Sequence, residues 1–283
     1  MMATVAVTHF SDRLADAVDR KRSQLVVGLD PVVEQLPAEV GGDVARFCFG
    51  IVDAVAEHAV AVKPQSAFFE ALGSDGVRAF EQVCAYARSA GLLVIADAKR
   101  GDVGSTARAY AEAFIPLADA MTVNPYLGRD SLEPFVDVCR REGAGIFCLV
   151  KTSNPGGADV QDVRLADGRL LWQHVAELVR SLGETLIGEC GLSSVGAVVG
   201  ATFPTDVAEA RRLLPQAPFL LPGIGAQGAT PGDVAEAFAA GPASALVAAS
   251  RSVIYASVGP DWRDAAREEA ERLAREAWSV SVA

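Results

Sequence analysis

Two acids and two lysines stand where short apolar runs of the chain give out: Asp30, Lys63, Asp97 and Lys99. Asp97 and Lys99 are two residues apart, so on an extended strand both side chains leave the same face. Strand ends near solvent are often charged, and any one of these residues alone reads equally well as an ordinary solvated terminus. As a set they alternate in sign, and fixed opposite charges around one rim suit electrostatic stabilisation of a reacting group. A further run ends in Lys151, followed by Thr152 and Ser153. Later come the glycine-rich LPGIGAQG at 221–228 and, after the next apolar run, ASRS at 249–252. Glycines let backbone N–H groups approach an anion, and Arg251 adds a forked permanent cation, so the two loops together read as a phosphate grip. One glycine-rich loop by itself would be an ordinary turn.

These side chains converge only if the runs that carry them lie side by side. Eight runs lack polar alternation: QLVVGLD (24–30), VAVK (60–63), LLVIADAK (92–99), AMTVN (120–124), GIFCLVK (145–151), VGAVVGAT (195–202), APFLLPG (217–223) and ASALVAAS (243–250). Such runs read as strands buried on both faces, the requirement of a parallel sheet covered by helices. Between them apolar residues recur at helical spacing, as in Val44, Phe47, Cys48, Ile51 and Val55, or Trp172, Val175, Val179 and Leu182. Ser131 and Gly143 bracket one helix, and Thr230-Pro231 and Gly241 another. Eight strand–helix units predict an α/β fold, a (β/α)8 TIM barrel forming a single domain over residues 1–283, although an open doubly wound sheet would give the same local pattern. In a barrel the chemistry sits at the carboxyl ends of the strands, which is where the charged residues stand. The long connection at 152–170, with a turn at Asp167-Gly168, predicts a lid-like excursion over one strand end.

Composition narrows the partners. The net charge of -11 argues against nucleic acid or an anionic membrane surface, so an anionic ligand needs a local basic site. With 51% hydrophobic and 22% charged residues, the chain can bury a large core. The five cysteines are scattered without CxxC spacing, which predicts neither disulfides nor zinc and fits a reducing cytoplasm. His9, His58 and His174 are too far apart for a helical metal pair, and no metal site is expected. No basic-then-apolar leader opens the chain and no run approaches the roughly 18 apolar residues of a membrane span, so neither export nor membrane anchoring is expected.

The stretch DAKRGD (97–102), with its DxKxxD spacing, resembles the signature of the orotidine 5'-phosphate decarboxylase family. VGLDP (27–31), VKPQSAFFE (62–70), LVKTSNPGG (149–157), LPGIGAQG (221–228) and SRSVIY (250–255) resemble the same family in the same order, over nearly the whole chain. Arg100-Gly101 within the motif and the extended segment after the fifth strand look like its longer bacterial subgroup. The resemblance implies decarboxylation of orotidine 5'-phosphate to uridine 5'-phosphate, the final step of de novo pyrimidine nucleotide biosynthesis, without a cofactor. It implies that Lys99 donates the proton, flanked by Asp97 and by Asp102, the latter reaching in from a partner subunit with Thr106. A homodimer is therefore implied. Asp30 and Lys63 would hold the ribose hydroxyls, with Lys63 completing the charged network, and Ser153 would meet the pyrimidine. Gln227 and Arg251, with backbone around Gly223 and Gly225, would bind the phosphate, and Pro222 and Ile224 would wall the base.

Two other readings use the same residues. DxKxxD alone is shared with barrel lyases acting on keto-sugar phosphates, which hold Mg2+ with carboxylates, and PGIGAQG and KTSNPGG favour the nucleotide. A non-catalytic phosphosugar-binding barrel is the third, and the intact Lys99 and aspartates weigh against it. An aldolase-type Schiff base fits poorly, because a lysine between two aspartates is favoured as the ammonium and a Schiff-base lysine must be neutral to attack.

Overall fold

The computed structural model describes residues 7–224 and 228–283. Eight parallel strands close into a barrel in sequence order, each hydrogen-bonded to the next and the eighth to the first. They are β1 (Leu25–Leu29), β2 (Ala61–Pro64), β3 (Leu93–Arg100), β4 (Ala120–Val123), β5 (Gly145–Lys151), β6 (Val195–Val199), β7 (Phe219–Pro222) and β8 (Ala245–Ala249). Closure leaves no sheet edge, and the expected open-sheet alternative is excluded by the β1–β8 pairing.

Before β1 comes α1 (Phe10–Lys21), and α2 (Val44–Val55) follows it. Then come α3 (Ser66–Glu70) and α4 (Gly73–Ser89) after β2, α5 (Gly104–Phe114) after β3, and α6 (Arg129–Glu142) after β4. β5 leads to α7 (Ala158–Gln161) and α8 (Leu171–Gly183), β6 to α9 (Pro204–Leu213), and β8 to α10 (Arg251–Ile254) and α11 (Trp262–Ser281). The apolar residues predicted for α2 are all buried. α6 begins two residues before Ser131 and ends at Gly143, whose φ of +66° is the left-handed turn a glycine adopts without a Cβ penalty.

The crossover from β7 to β8 departs from expectation. Thr230-Pro231 opens the segment as predicted, with the Thr230 N–H and hydroxyl both donating to Asp233, but Pro231–Phe238 is wound as 3-10 turns and broken at Val234 (φ -117°, ψ 23°). Capping chemistry satisfies the first free N–H groups of either helix type, so it marks a start without fixing the winding. The excursion at 152–170 is also more ordered than a loop. It carries a 3-10 turn at Pro155–Gly157, then α7, then a narrow hairpin in which Arg164 bridges Leu170 around Gly168 at φ +88°.

Strand alternation sorts the core into two clusters. Leu25, Val27, Val62, Val94 and Met121 face the helices. Val26, Ala61, Ile95, Ala120, Phe147, Val198, Leu220 and Leu246 belong with Phe10, Leu14 and Val18 of α1, which plugs the amino-terminal floor of the barrel. Filling the interior from below with apolar side chains confines the polar inward-facing positions to the carboxyl-terminal mouth. A groove of about 500 Å³ opens at the floor, but its Arg13, Arg88 and Arg141 are balanced by Asp119, Glu112 and Glu142.

The β7 and β8 segments are held by an interior cation. Arg211 of α9 is buried and donates to the carbonyls of Ala237, Leu214, Ala217 and Ser244, at 2.7–3.1 Å. Its guanidinium lies 3.8 Å from the Phe219 ring centroid. Burial without a carboxylate pushes its pKa down to about 9. Because one planar fork satisfies four carbonyls, Arg211→Met is expected to lower stability by on the order of 3 kcal/mol, read as a reduced urea midpoint, and Arg211→Lys to recover only part of it. An unchanged midpoint in the methionine variant would show that these carbonyls are satisfied without the guanidinium.

Candidate active site

One carboxylate organises the mouth. Asp97, 4% exposed, lies on β3 and is reached by four donors. Its Oδ2 accepts from Lys63 Nζ at 2.5 Å and from Gln65 Nε2 at 3.1 Å. Its Oδ1 accepts from Lys99 Nζ at 2.5 Å and from the Thr122 hydroxyl at 2.9 Å. Alternation explains the gathering, since Lys63 and Gln65 are two apart beyond the inward-facing Ala61, and Asp97 is two beyond Ile95. A bridge between Gln65 and Asp97 extends the β2–β3 pairing to this level.

The charges hold one another. Burial alone would raise the Asp97 carboxyl, but the Lys63 and Lys99 ammonium groups and their hydrogen bonds outweigh it and hold the group well below the usual carboxylate range. Burial likewise pulls the Lys63 ammonium down, and the charges of Asp97 and Asp30 more than reverse the effect, so its pKa lies above the ordinary lysine value. Both shifts favour the charged forms.

Lys99 occupies an unusual backbone position, at φ +47°. For a residue with a Cβ the left-handed region costs roughly 1–2 kcal/mol. β3 is irregular here: Ala96 pairs with Met121 and Arg100 with Val123, so four residues span what two span on β4. The same irregularity leaves Arg100 on the outer side, paired with Glu70 and lying 5.3–5.5 Å from the ring centroids of Phe114 and Tyr110. Arg100 therefore packs the helical layer and does not join the mouth.

Apart from Asp97, Lys99 and Ser153, the predicted residues divide into three groups. Asp30, Lys63, Pro222, Gly223, Ile224 and Arg251 line one cleft of about 150 Å³, with Gly28 and Ser250. Within it Asp30 Oδ2 accepts from the Ser250 hydroxyl at 2.6 Å, while Oδ1 is buried with no donor among the described residues. Gly28 makes that contact possible, because a Cβ there would lie 2.8 Å from that of Ser250. Ser153 follows β5, its backbone packed so closely on Gly200 that a Cβ on the glycine would sit 2.8 Å from it. Asp102 and Thr106 form the second group. Asp102 caps the Val103 N–H at 2.8 Å and Thr106 is exposed on α5, and among the described residues neither bonds to Asp97 or Lys99. Gly225 and Gln227 are the third group and lie outside the described residues.

Lys151 does not join the ring of charges. Leu149 pairs with Val198 and Lys151 with Val199, so one extra residue on β5 breaks the alternation before the strand ends. Lys151 is buried against Asp162, with Asp206 of α9 at 3.7 Å, and it ties the 152–170 excursion to the barrel. Sequence reasoning missed Gln65, Thr122 and Ser250 as parts of the site. Thr122 is the one polar residue in the strand AMTV, and a polar side chain on an otherwise apolar buried strand was the available signal.

Fold and site together define a (β/α)8-barrel enzyme with a buried Asp–Lys network at the strand ends and an anion-sized cleft beside it. The family model described as orotidine 5'-phosphate decarboxylase / HUMPS family matches residues 23–268, and the chain belongs to that family. A relative from Rhodopirellula baltica, named orotidine 5'-phosphate decarboxylase, is 46% identical over 91% of this chain and 95% of its own length. One of the same name from Haloarcula marismortui is 47% identical over 88% of this chain and 87% of its own. A crystal structure from Streptomyces avermitilis assigned to that activity superposes with a TM-score of 0.87 at 43% identity, covering 100% of this chain and 99% of the other. The chain is an enzyme of the decarboxylase branch, a carbon–carbon lyase.

The direction of the Asp97 shift sets a pH dependence. A carboxyl held below its unfolded value of about 3.9 contributes stability that is complete above that value and is lost as pH falls through the folded one. Urea midpoints followed from pH 7 downward are expected to fall more steeply for the wild type than for Asp97→Asn. The variant is expected to start lower, with Lys63 left beside a neutral amide. Parallel profiles would remove Asp97 as the source of the acid limb.

Proposed function

We propose that this chain decarboxylates orotidine 5'-phosphate to uridine 5'-phosphate, the last step of de novo pyrimidine nucleotide synthesis, with Lys99 as proton donor to C6 and no cofactor. The observation that carries the reading is the Asp97 carboxylate held between Lys63 and Lys99 at the barrel mouth. Heterolysis of the C6–carboxylate bond releases CO2 and leaves the electron pair on a ring carbon. An ammonium already fixed beside that carbon stabilises the charge without reorganising, then gives its proton to C6 and regains one from solvent. Asp97 accepts from Lys99 Nζ, which fixes the position of the donor, and presents negative charge beside the departing carboxylate.

The surrounding residues take up the rest of the nucleotide. Asp30, with one carboxylate oxygen held by Ser250, and Lys63 bind the ribose hydroxyls. Gly223, Gly225, Gln227 and Arg251 bind the phosphate, Pro222 and Ile224 wall the base, and Ser153 meets the pyrimidine. Phosphate binding remote from C6 supplies energy that closure of the site can spend on the transition state. Asp102 and Thr106 act on the site of a partner subunit in a homodimer, the arrangement that the family resemblance implies. The whole chain serves as one catalytic domain, with α1 plugging the floor and α11 packed on α2 and β1. No nucleic-acid or membrane partner is proposed, and no helix among the described residues is long and apolar enough to cross a membrane. Five unbridged cysteines support a cytoplasmic setting.

Purified protein in excess chelator is expected to convert orotidine 5'-phosphate to uridine 5'-phosphate, followed by loss of substrate absorbance. Lys99→Ala is expected to bind the product with wild-type stoichiometry but to lose on the order of 10³-fold or more in kcat. No turnover by the wild type would overturn the decarboxylase reading, and turnover abolished by the chelator would favour the metal-dependent sugar-phosphate lyase.

A further inference from the structure

We infer that Thr122 is a positioning residue of this active site, its single hydroxyl setting the carboxylate of Asp97 and the backbone of Lys99 against each other. The inference rests on the decarboxylase reading for its kinetic test and on geometry alone for its structural one. Thr122 is 1% exposed and lies on β4, the neighbour of the irregular end of β3. Its Oγ donates to Asp97 Oδ1 at 2.9 Å and accepts from the Lys99 N–H at 2.9 Å.

The need for such a group follows from the strand irregularity. Regular pairing of β3 with β4 stops at Ala96 and resumes at Arg100, so the N–H of Lys99 has no place in the ladder. A buried N–H without an acceptor is costly, and Lys99 also sits at φ +47°, where a side-chain residue stays only if its surroundings hold it. The Thr122 hydroxyl is that acceptor. Because an O–H can give and receive at once, the same atom fixes the Asp97 oxygen that receives Lys99 Nζ. The reacting ammonium is thereby set from both ends: its backbone through the Lys99 N–H and its tip through Asp97. Neither Lys63 nor Gln65 can substitute, because both donate to the other oxygen of Asp97.

The test compares Thr122→Val, which keeps the branched shape and removes the hydroxyl, with Thr122→Ser, which keeps the hydroxyl. Thr122→Val is expected to lose about 100-fold in kcat, the scale set by misplacing a reacting group by about an ångström. Its KM for orotidine 5'-phosphate should stay within about threefold of wild type, since the phosphate and ribose contacts are untouched. Thr122→Ser should restore kcat to within about threefold of wild type. Crystal structures of both variants give the second reading, independent of any substrate: Lys99 is expected to leave its positive φ in the valine variant and to keep it in the serine variant. Wild-type kcat in Thr122→Val, a loss in KM alone, or an unmoved Lys99 and Asp97 in its structure would each overturn the inference. A wild-type enzyme that fails to turn over would defeat the decarboxylase reading and leave the crystallographic comparison to decide the role of Thr122.

Discussion

A carboxylate taken out of water costs several kcal/mol unless donors replace the lost hydration, on the order of the penalty for any buried ion. In this barrel four donors converge on Asp97, and two of them are cations. The desolvation that would neutralise an isolated acid is overturned by its neighbours, so charge is retained on a buried group. The arrangement is mutual. Lys63 stays charged at 9% exposure because Asp97 and Asp30 face it, and the lysine in turn frees the acid to remain ionised. A field built in this way exists before any substrate arrives, which is the condition for electrostatic catalysis without reorganisation.

The barrel makes this field from ordinary parts. Alternation along the strands sends Val26, Ala61, Ile95 and Ala120 into the interior, and the next inward position on β2, β3 and β4 is Lys63, Asp97 and Thr122. Apolar layers plugged by α1 therefore form a floor under a polar mouth. Two local breaks refine the pattern. Four residues of β3 facing two of β4 raise Lys99 over Asp97 at the cost of a left-handed backbone. One extra residue on β5 turns Lys151 away, so a third ammonium is spent on holding the 152–170 excursion rather than added to the ring.

The eight strands were legible because a strand buried on both faces is a continuous apolar run, and the predicted runs contain every observed strand except for one further residue each on β2 and β3. The charged residues closing those runs were legible too, and Asp30, Lys63, Pro222, Gly223 and Arg251 meet in one cleft. What escaped the sequence depends on partners distant along the chain. Gln65, Thr122 and Ser250 gain meaning only through Asp97 and Asp30, which lie 32, 25 and 220 positions away. The outward turn of Lys151 depends on a single added residue, which periodicity in a short run cannot register. The 3-10 winding after Thr230 escaped because its cap is the same as that of an α-helix. Asp102 and Thr106 were marked by the family resemblance alone, and within one chain neither bonds to Asp97 or Lys99 among the described residues.

The claim on which the account turns is that Lys99 carries the proton exchanged with C6. Uridine 5'-phosphate incubated with the enzyme in D2O tests it directly, with loss of the C6 proton followed by NMR. Wild-type protein is predicted to exchange that proton for deuterium, and Lys99→Ala to bind the nucleotide without exchanging it. Exchange at the wild-type rate in the variant would assign the proton to another group and contradict the mechanism.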